Sequence, residues 1–189
     1  MKYIRLIVII VIFIVLALGV KGLIKPRVTV ILTGSFDPTT TYVYIDNTRI
    51  TTKDLGVRTF TYGKTGTYPV LVSGPGIKAV KTSLSIKPLL GGKVIIAVSA
   101  GDSARTVVQK TLGLKDESGI SSARQFDGGW IGAIVDGTEG NSLSYALQYD
   151  YEKASWVLTN PDGLFDTSKS TYKNAPKDLV TFLTDVAGD

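Results

Sequence analysis

The chain has 189 residues, with 21 Lys and Arg against 16 Asp and Glu, no histidine, no cysteine and a net charge of +5. Without His or Cys there is no Ser-His or Cys-His nucleophile pair, no thiol chemistry, no disulfide and no ordinary zinc site. The charge is uneven: residues 1–26 carry four basic and no acidic residues, residues 27–99 nine basic against three acidic, and residues 100–189 eight against thirteen. Most of the positive balance therefore sits beside the N-terminus, which argues against nucleic acid as a partner.

Lys2 and Arg5 precede an unbroken apolar run over residues 6–20, and Lys21 and Lys25 follow it. That run makes roughly 22 Å of helix, short of the ~30 Å hydrocarbon core. Adding Tyr3, Ile4, Leu23 and Ile24, with Arg5 and Lys21 snorkelling to the headgroups, gives about 20 usable residues. The pattern predicts an uncleaved transmembrane signal-anchor over residues 1–25, with the lipid bilayer as partner and Lys2, Arg5, Lys21 and Lys25 flanking the membrane. A cleaved secretory signal is the competing reading, with Ala17-Leu18-Gly19 as its small-x-small site. Positive charge is nearly balanced across the run, so orientation rests on the export-like segment and the strand-rich remainder; both favour a body outside the cell membrane. A cysteine-free body held by burial alone suits a bacterial envelope protein.

Residues 26–99 are expected to form one domain of short strands and turns. Val28, Val30 and Leu32 alternate with Thr29, Ile31 and Thr33 before Gly34 breaks the pattern. Strands are predicted over residues 41–45, 57–62, 67–73, 78–86 and 93–99, separated by Asp46-Asn47, Gly63, Gly74-Pro75-Gly76 and Pro88 with Gly91-Gly92. Alternation is clearest where Val80, Thr82, Leu84 and Ile86 share one face and Lys81, Ser83, Ser85 and Lys87 the other. About six or seven closely spaced strands without a helical period imply a small β-sandwich.

Tyr42-Val43-Tyr44-Ile45-Asp46-Asn47, then Gly66 to Val72, Gly76 and Gly92-Lys93-Val94-Ile95-Ile96 resemble the PEGA-like domains. In that family an Ile-Asp-Gly hairpin precedes a strand of Gly-x-His-x-Val-x-Val type, a glycine-containing turn and two closing strands. This chain has Asn47 where the family prefers Gly and Tyr68 where it prefers His, and it lacks the proline-containing turn. The resemblance implies a small surface-exposed sandwich with a binding or spacer role and no catalytic residues.

Residues 100–189 are expected to form a second, α+β domain: a helix, a three-stranded antiparallel meander and a C-terminal helix. Asp102 or Ser103 caps a helix running to about Leu112, with Ala104, Val108 and Leu112 on one face and Gly113 as the stop. A short helical turn is predicted within residues 116–125, and a buried strand over residues 130–135. In the next strand, residues 143–151, Leu143, Tyr145, Leu147, Tyr149 and Tyr151 face inward and Ser144, Ala146, Gln148 and Asp150 outward. After a turn at Lys153-Ala154-Ser155 comes a strand over residues 156–159. Pro176 opens the last helix as its first residue, with Leu179, Phe182, Leu183 and Val186 as its stripe. With its two tryptophan-bearing strands and proline-led helix, this half resembles C-terminal domains of membrane-anchored proteins from ultrasmall, candidate-phyla bacteria. That resemblance implies no particular activity.

Candidate chemistry is sparse, and no catalytic residue, metal site or cofactor is expected. Asp150 and Glu152 fall on one strand face, where solvated charge is the simpler explanation than acid–base chemistry. Ser170-Thr171-Tyr172-Lys173 matches S-x-x-K without its companion motifs. Gly63-Lys64-Thr65 lacks phosphate-loop spacing, and Asp136 to Asn141 lacks calcium-loop spacing. Tyr42 with Tyr44, and Phe60 with Tyr62, share strand faces as aromatic platforms for a sugar or a protein partner, although cross-strand packing accounts for the same spacing.

The sequence points to a membrane-tethered, extracytoplasmic, non-catalytic binding or spacer protein of the cell envelope, its partner an envelope protein or a surface glycan. A structural subunit of a larger membrane or surface assembly is the alternative. A glycan-active enzyme is a third reading, and it requires two convergent carboxylates in one groove.

Overall fold

The computed structural model of the chain describes residues 25–51, 57–88, 90–137 and 140–185. The expected transmembrane segment, with Lys2, Arg5 and Lys21, lies outside the described residues. Among the described residues no helix is long and apolar enough to cross a membrane. The expected fold class is corrected accordingly: the described chain is mostly β, with two short helices, α1 (Ala104–Leu112) and α2 (Lys177–Thr184). A helix of nine residues reaches only ~14 Å, and both helices bury one side against a sheet.

The first module is a β-sandwich of seven strands: β1 (Arg27–Gly34), β2 (Tyr42–Ile45), β3 (Thr48–Thr51), β4 (Val57–Thr61), β5 (Gly66–Ser73), β6 (Val80–Ile86) and β7 (Gly92–Val98). They form two sheets, in the orders β4-β1-β7 and β3-β2-β5-β6. Alternation decides which residues face inward. Val28, Val30 and Leu32 of β1 meet Val43, Ile45, Val70, Val72, Leu84, Ile86, Ile96 and Val98 in one core. Burying each such side chain is worth about 1.5–3 kcal/mol, which is what holds together a module without disulfides. The first strand pairs antiparallel with β4 and parallel with β7.

Strand β3 does not stand out in the sequence, because Ile50 is its one large apolar residue. Its pairing follows from the turn before it. Asp46 and Asn47 both adopt positive φ, 50° and 59°, the left-handed pair that a two-residue hairpin requires. Asparagine tolerates that conformation, so Asn47 holds the turn without a glycine.

The second module departs further from expectation. Its sheet has four strands instead of three: β8 (Ile120–Phe126), β9 (Trp130–Asp136), β10 (Ser142–Asp150) and β11 (Ser155–Leu158), an antiparallel meander in the order β11-β10-β9-β8. The helical turn expected within residues 116–125 is replaced by most of β8, which pairs with β9 from Ile120↔Val135 to Phe126↔Trp130. Every residue of β9 except Asp136 is buried, so a polar strand is needed to pair its far edge.

Each face of this sheet carries a helix. On one, Val107 and Val108 of α1 pack with Ile120, Ile131, Ala133, Val135 and Leu147. On the other, Leu179 and Leu183 of α2 pack with Phe126, Trp130, Ala146 and Tyr172. Ser144 and Ala146, expected to face solvent, are therefore buried at 5% and 0% exposure. Their small size lets α2 approach, as does Gly132, whose missing side chain would fall 2.8 Å from Leu179 and Phe182.

The helix ends follow the sequence closely. Ser103 Oγ accepts a hydrogen bond from the Thr106 N–H, and Gly113 closes α1 at φ 67°, the left-handed stop that glycine favours. Pro176 occupies the cap position of α2, one place before the position expected for it. Where β11 ends, the buried Asn160 takes over as a strand partner. Its Oδ1 accepts from the Ala146 N–H at 2.7 Å and its Nδ2 donates to the Ser144 carbonyl at 2.6 Å, satisfying backbone groups that burial would otherwise leave costly.

Candidate binding site at the junction of the modules

Tyr42 and Tyr44 share the face of β2 opposite Val43 and Ile45, and so point away from the sandwich core. That face meets the turn after β10. The Tyr42 ring stands edge-on to Tyr151 with centroids 4.8 Å apart, and Arg49 lies 3.4 Å above the Tyr42 ring. Ser73, at the end of β5, donates from Oγ to the Tyr151 carbonyl at 2.8 Å. Tyr149 packs against Tyr151 and Trp156 at 5.1 and 5.2 Å, with the Gly74 backbone near its hydroxyl. A run of rings, Tyr42, Tyr151, Tyr149 and Trp156, thus crosses from one module to the other.

The second expected pair lies elsewhere. Tyr62 meets Phe60 edge-on with ring centroids 6.3 Å apart and Tyr68 with centroids 5.0 Å apart, and all three lean on the sandwich core. The four aromatic residues singled out in the sequence therefore belong to two separate places, and those at the junction are Tyr42 and Tyr44.

Asp150 and Glu152 do not share a strand face, because β10 ends at Asp150. Asp150 Oδ1 accepts from the N–H groups of Glu152 and Lys153, at 3.0 and 2.9 Å, and Oδ2 pairs with Lys153 at 3.2 Å. These bonds, the Lys153 backbone first, hold its carboxyl below the usual range, which suits a turn and is the wrong direction for a general acid. In the S-x-x-K segment, Ser170–Tyr172 is a 3-10 turn that buries Tyr172. Gly63, Lys64 and Thr65 form an exposed turn; in the Asp136 to Asn141 segment residues 138 and 139 lie outside the described residues, and the Gly137 N–H donates to the Asn141 carbonyl at 2.7 Å.

Burial sets the titration of the junction. It pushes the Tyr151 hydroxyl up to about 12, with Tyr42 adding to the shift and Arg49 opposing it. Burial likewise raises Tyr149 and Tyr44. A tyrosine raised in the fold lends stability that is complete below its unfolded value of 10.0 and is lost as pH climbs toward about 12. Melting temperature is therefore expected to fall across that window, and Tyr151→Phe, which keeps the ring, is expected to flatten the fall. An unchanged slope in Tyr151→Phe would contradict the assignment.

Two clefts flank the tyrosines. The larger, of about 410 Å³, is lined by Ile77, Lys78, Asp102, Lys110, Tyr149 and Trp156 among others. Lys110 Nζ lies 2.6 Å from Asp102 Oδ2; that bond, with a smaller contribution from Lys78, holds the Asp102 carboxyl low. The smaller, of about 260 Å³, is lined by Tyr44, Asn47, Leu71, Lys81 and Glu152. Among the described residues each cleft is lined by a single carboxylate, Asp102 in the larger and Glu152 in the smaller, where a glycosidase uses a pair. Among the described residues no group of three metal-ligating side chains occurs. The larger cleft escaped the sequence reading because its residues come from four separate segments; its one legible sign is the Tyr149↔Trp156 cross-strand pair.

No protein-family model, curated protein or solved structure matches the chain. These comparisons therefore lend no support to the resemblance of residues 27–99 to PEGA-like domains or of the second module to candidate-phyla proteins.

Proposed function

We propose that this chain is a non-catalytic, membrane-attached protein of the bacterial cell envelope, with a PEGA-like first module, that binds an envelope protein or surface glycan at the junction of its modules. The observation that carries the reading is the junction itself: Ser73 and Tyr42 grip Tyr151, and a cleft of about 410 Å³ opens beside them. A sequence without His or Cys and one carboxylate per cleft support binding over catalysis. The composition of residues 1–25, apolar between Lys2 with Arg5 and Lys21 with Lys25, supports membrane attachment.

The test is co-sedimentation of the purified full chain, in detergent, with isolated envelope fragments. Sedimentation is expected with the fragments and not without them. Loss after protease treatment of the fragments assigns a protein partner, and loss after periodate a glycan. No sedimentation above background would contradict binding and leave the spacer role. A structural subunit of a larger assembly is favoured by one observation, the exposure of Leu90 and Ile95 at 83% and 61%. A stoichiometric partner in a native-detergent pulldown, lost in Ile95→Lys, would establish that reading in place of the first.

A further inference from the structure

We infer that the larger junction cleft is a site for a carboxylated sugar, its ring against Trp156 and its carboxylate between Lys78 and Lys110. The inference rests on the binding reading above and names the ligand class for it.

At about 410 Å³ the cleft falls within the ~300–1,000 Å³ of small-molecule sites, and it is built from both modules. Ile77 and Lys78 come from the segment between β5 and β6, Asp102 and Lys110 from α1 and the residues before it, Trp156 from β11. Trp156 is half-buried and braced edge-on by Tyr149, 5.2 Å away at 74°. Tyr149 is itself buried and packed against Tyr151 at 5.1 Å. An aromatic wall fixed in this way loses little freedom when a ligand stacks on it, and the C–H face of a sugar ring is the ligand surface that suits it.

The charged groups select among sugars. Two ammonium groups and one carboxylate line the same cleft, a local excess of one positive charge. Lys110 and Asp102 pair at 2.6 Å with side chains 64% and 39% exposed, so the pair stays in water and a ligand carboxylate can share Lys110 without stripping a buried ion. Lys78 is close enough to act on Asp102 through space, which places a second cation near the first. Asp102, held ionised, remains an acceptor for sugar hydroxyls. A neutral sugar leaves the excess charge unused, and a bare carboxylate leaves the Trp156 wall unused.

The experiment is isothermal titration of the full chain in detergent, at low salt, with sodium glucuronate, glucose, acetate and inorganic phosphate as separate probes. Glucuronate is expected to bind at least about tenfold more tightly than the other three, and Lys78→Ala and Lys110→Ala, both changes to exposed side chains, are each expected to weaken it about tenfold. Trp156→Phe is expected to weaken glucuronate and leave phosphate unaffected. Glucuronate no tighter than glucose, or unchanged in both lysine variants, overturns the assignment, and phosphate binding more tightly than glucuronate overturns it in favour of a plain anion site. If envelope fragments still bind the chain while glucuronate does not, the cleft assignment fails alone; if neither binds, the binding reading fails with it.

Discussion

Replacing Trp130 with alanine is expected to destabilise the second module by about 3–5 kcal/mol. Trp130 is 2% exposed and heads the ranking of large, fully buried side chains. It opens β9, one of the two inner strands, and joins Phe126, Ala146, Tyr172, Leu179 and Leu183 in the cluster beneath α2. The cavity cannot close easily, because Tyr172 is held against Phe165 at 4.5 Å and α2 against Gly132. Urea denaturation measures the loss. The chain has two tryptophans, so the remaining one, Trp156, reports whether the sheet near the junction unfolds in the same transition. A loss below about 1 kcal/mol, the scale of a surface change, would mean that α2 does not cover this face.

Gly91→Ala is expected to cost nearly as much in the first module, for a different reason. Gly91 has φ 72°, and a methyl group built on it would lie 1.9 Å from the Arg27 carbonyl oxygen. The obstacle is backbone, so no side chain can swing aside. Moving the turn would break the two bonds between Lys87 and Gly91, at 2.9 and 3.0 Å, and disturb the parallel register that begins at Val28↔Gly92. Left-handed strain of ~1–3 kcal/mol and a comparable overpacking cost give about 2–6 kcal/mol. Gly113 provides the control, with φ 67° and nothing within 4 Å of the added carbon. Gly113→Ala is expected to cost about 1 kcal/mol. Equal losses in the two variants, measured by the same denaturation, would contradict the close approach of the β6–β7 turn to β1.

The sandwich was legible because its strands have one wet face and one dry one: Val28, Val30 and Leu32, or Leu84 and Ile86, recur at every second residue and carry both the period and the inward side. The same rule misleads in the second module. There both faces of the sheet are covered, so Ser144 and Ala146 look like solvent-facing residues while their small size is what admits α2. Strand β8 was missed because its pattern is imposed by the edge of β9, and Ile120 and Phe126 alone of its seven residues are buried. The shared face of Tyr42 and Tyr44 could be read from spacing. Their partner could not, since Tyr151 lies in a turn of the other module and nothing local signals a contact so distant in the chain. For the same reason Lys78, Asp102 and Trp156 do not announce a common cleft. The transmembrane expectation came from residues 1–25 and has no counterpart among the described helices, whose apolar stripes are narrow and short.

The central claim is that the two modules are fastened to each other through the tyrosines of the junction. A double-mutant cycle on Tyr42→Ala and Tyr151→Ala, read by chemical denaturation, tests it most directly, because each single variant removes one ring and the cycle cancels the stacking of Arg49 on Tyr42. Edge-on aromatic pairs are worth about 0.5–1.5 kcal/mol beyond burial, and a coupling of about 1 kcal/mol between the two positions is the predicted result. Losses that simply add, to within about 0.3 kcal/mol, would contradict the junction.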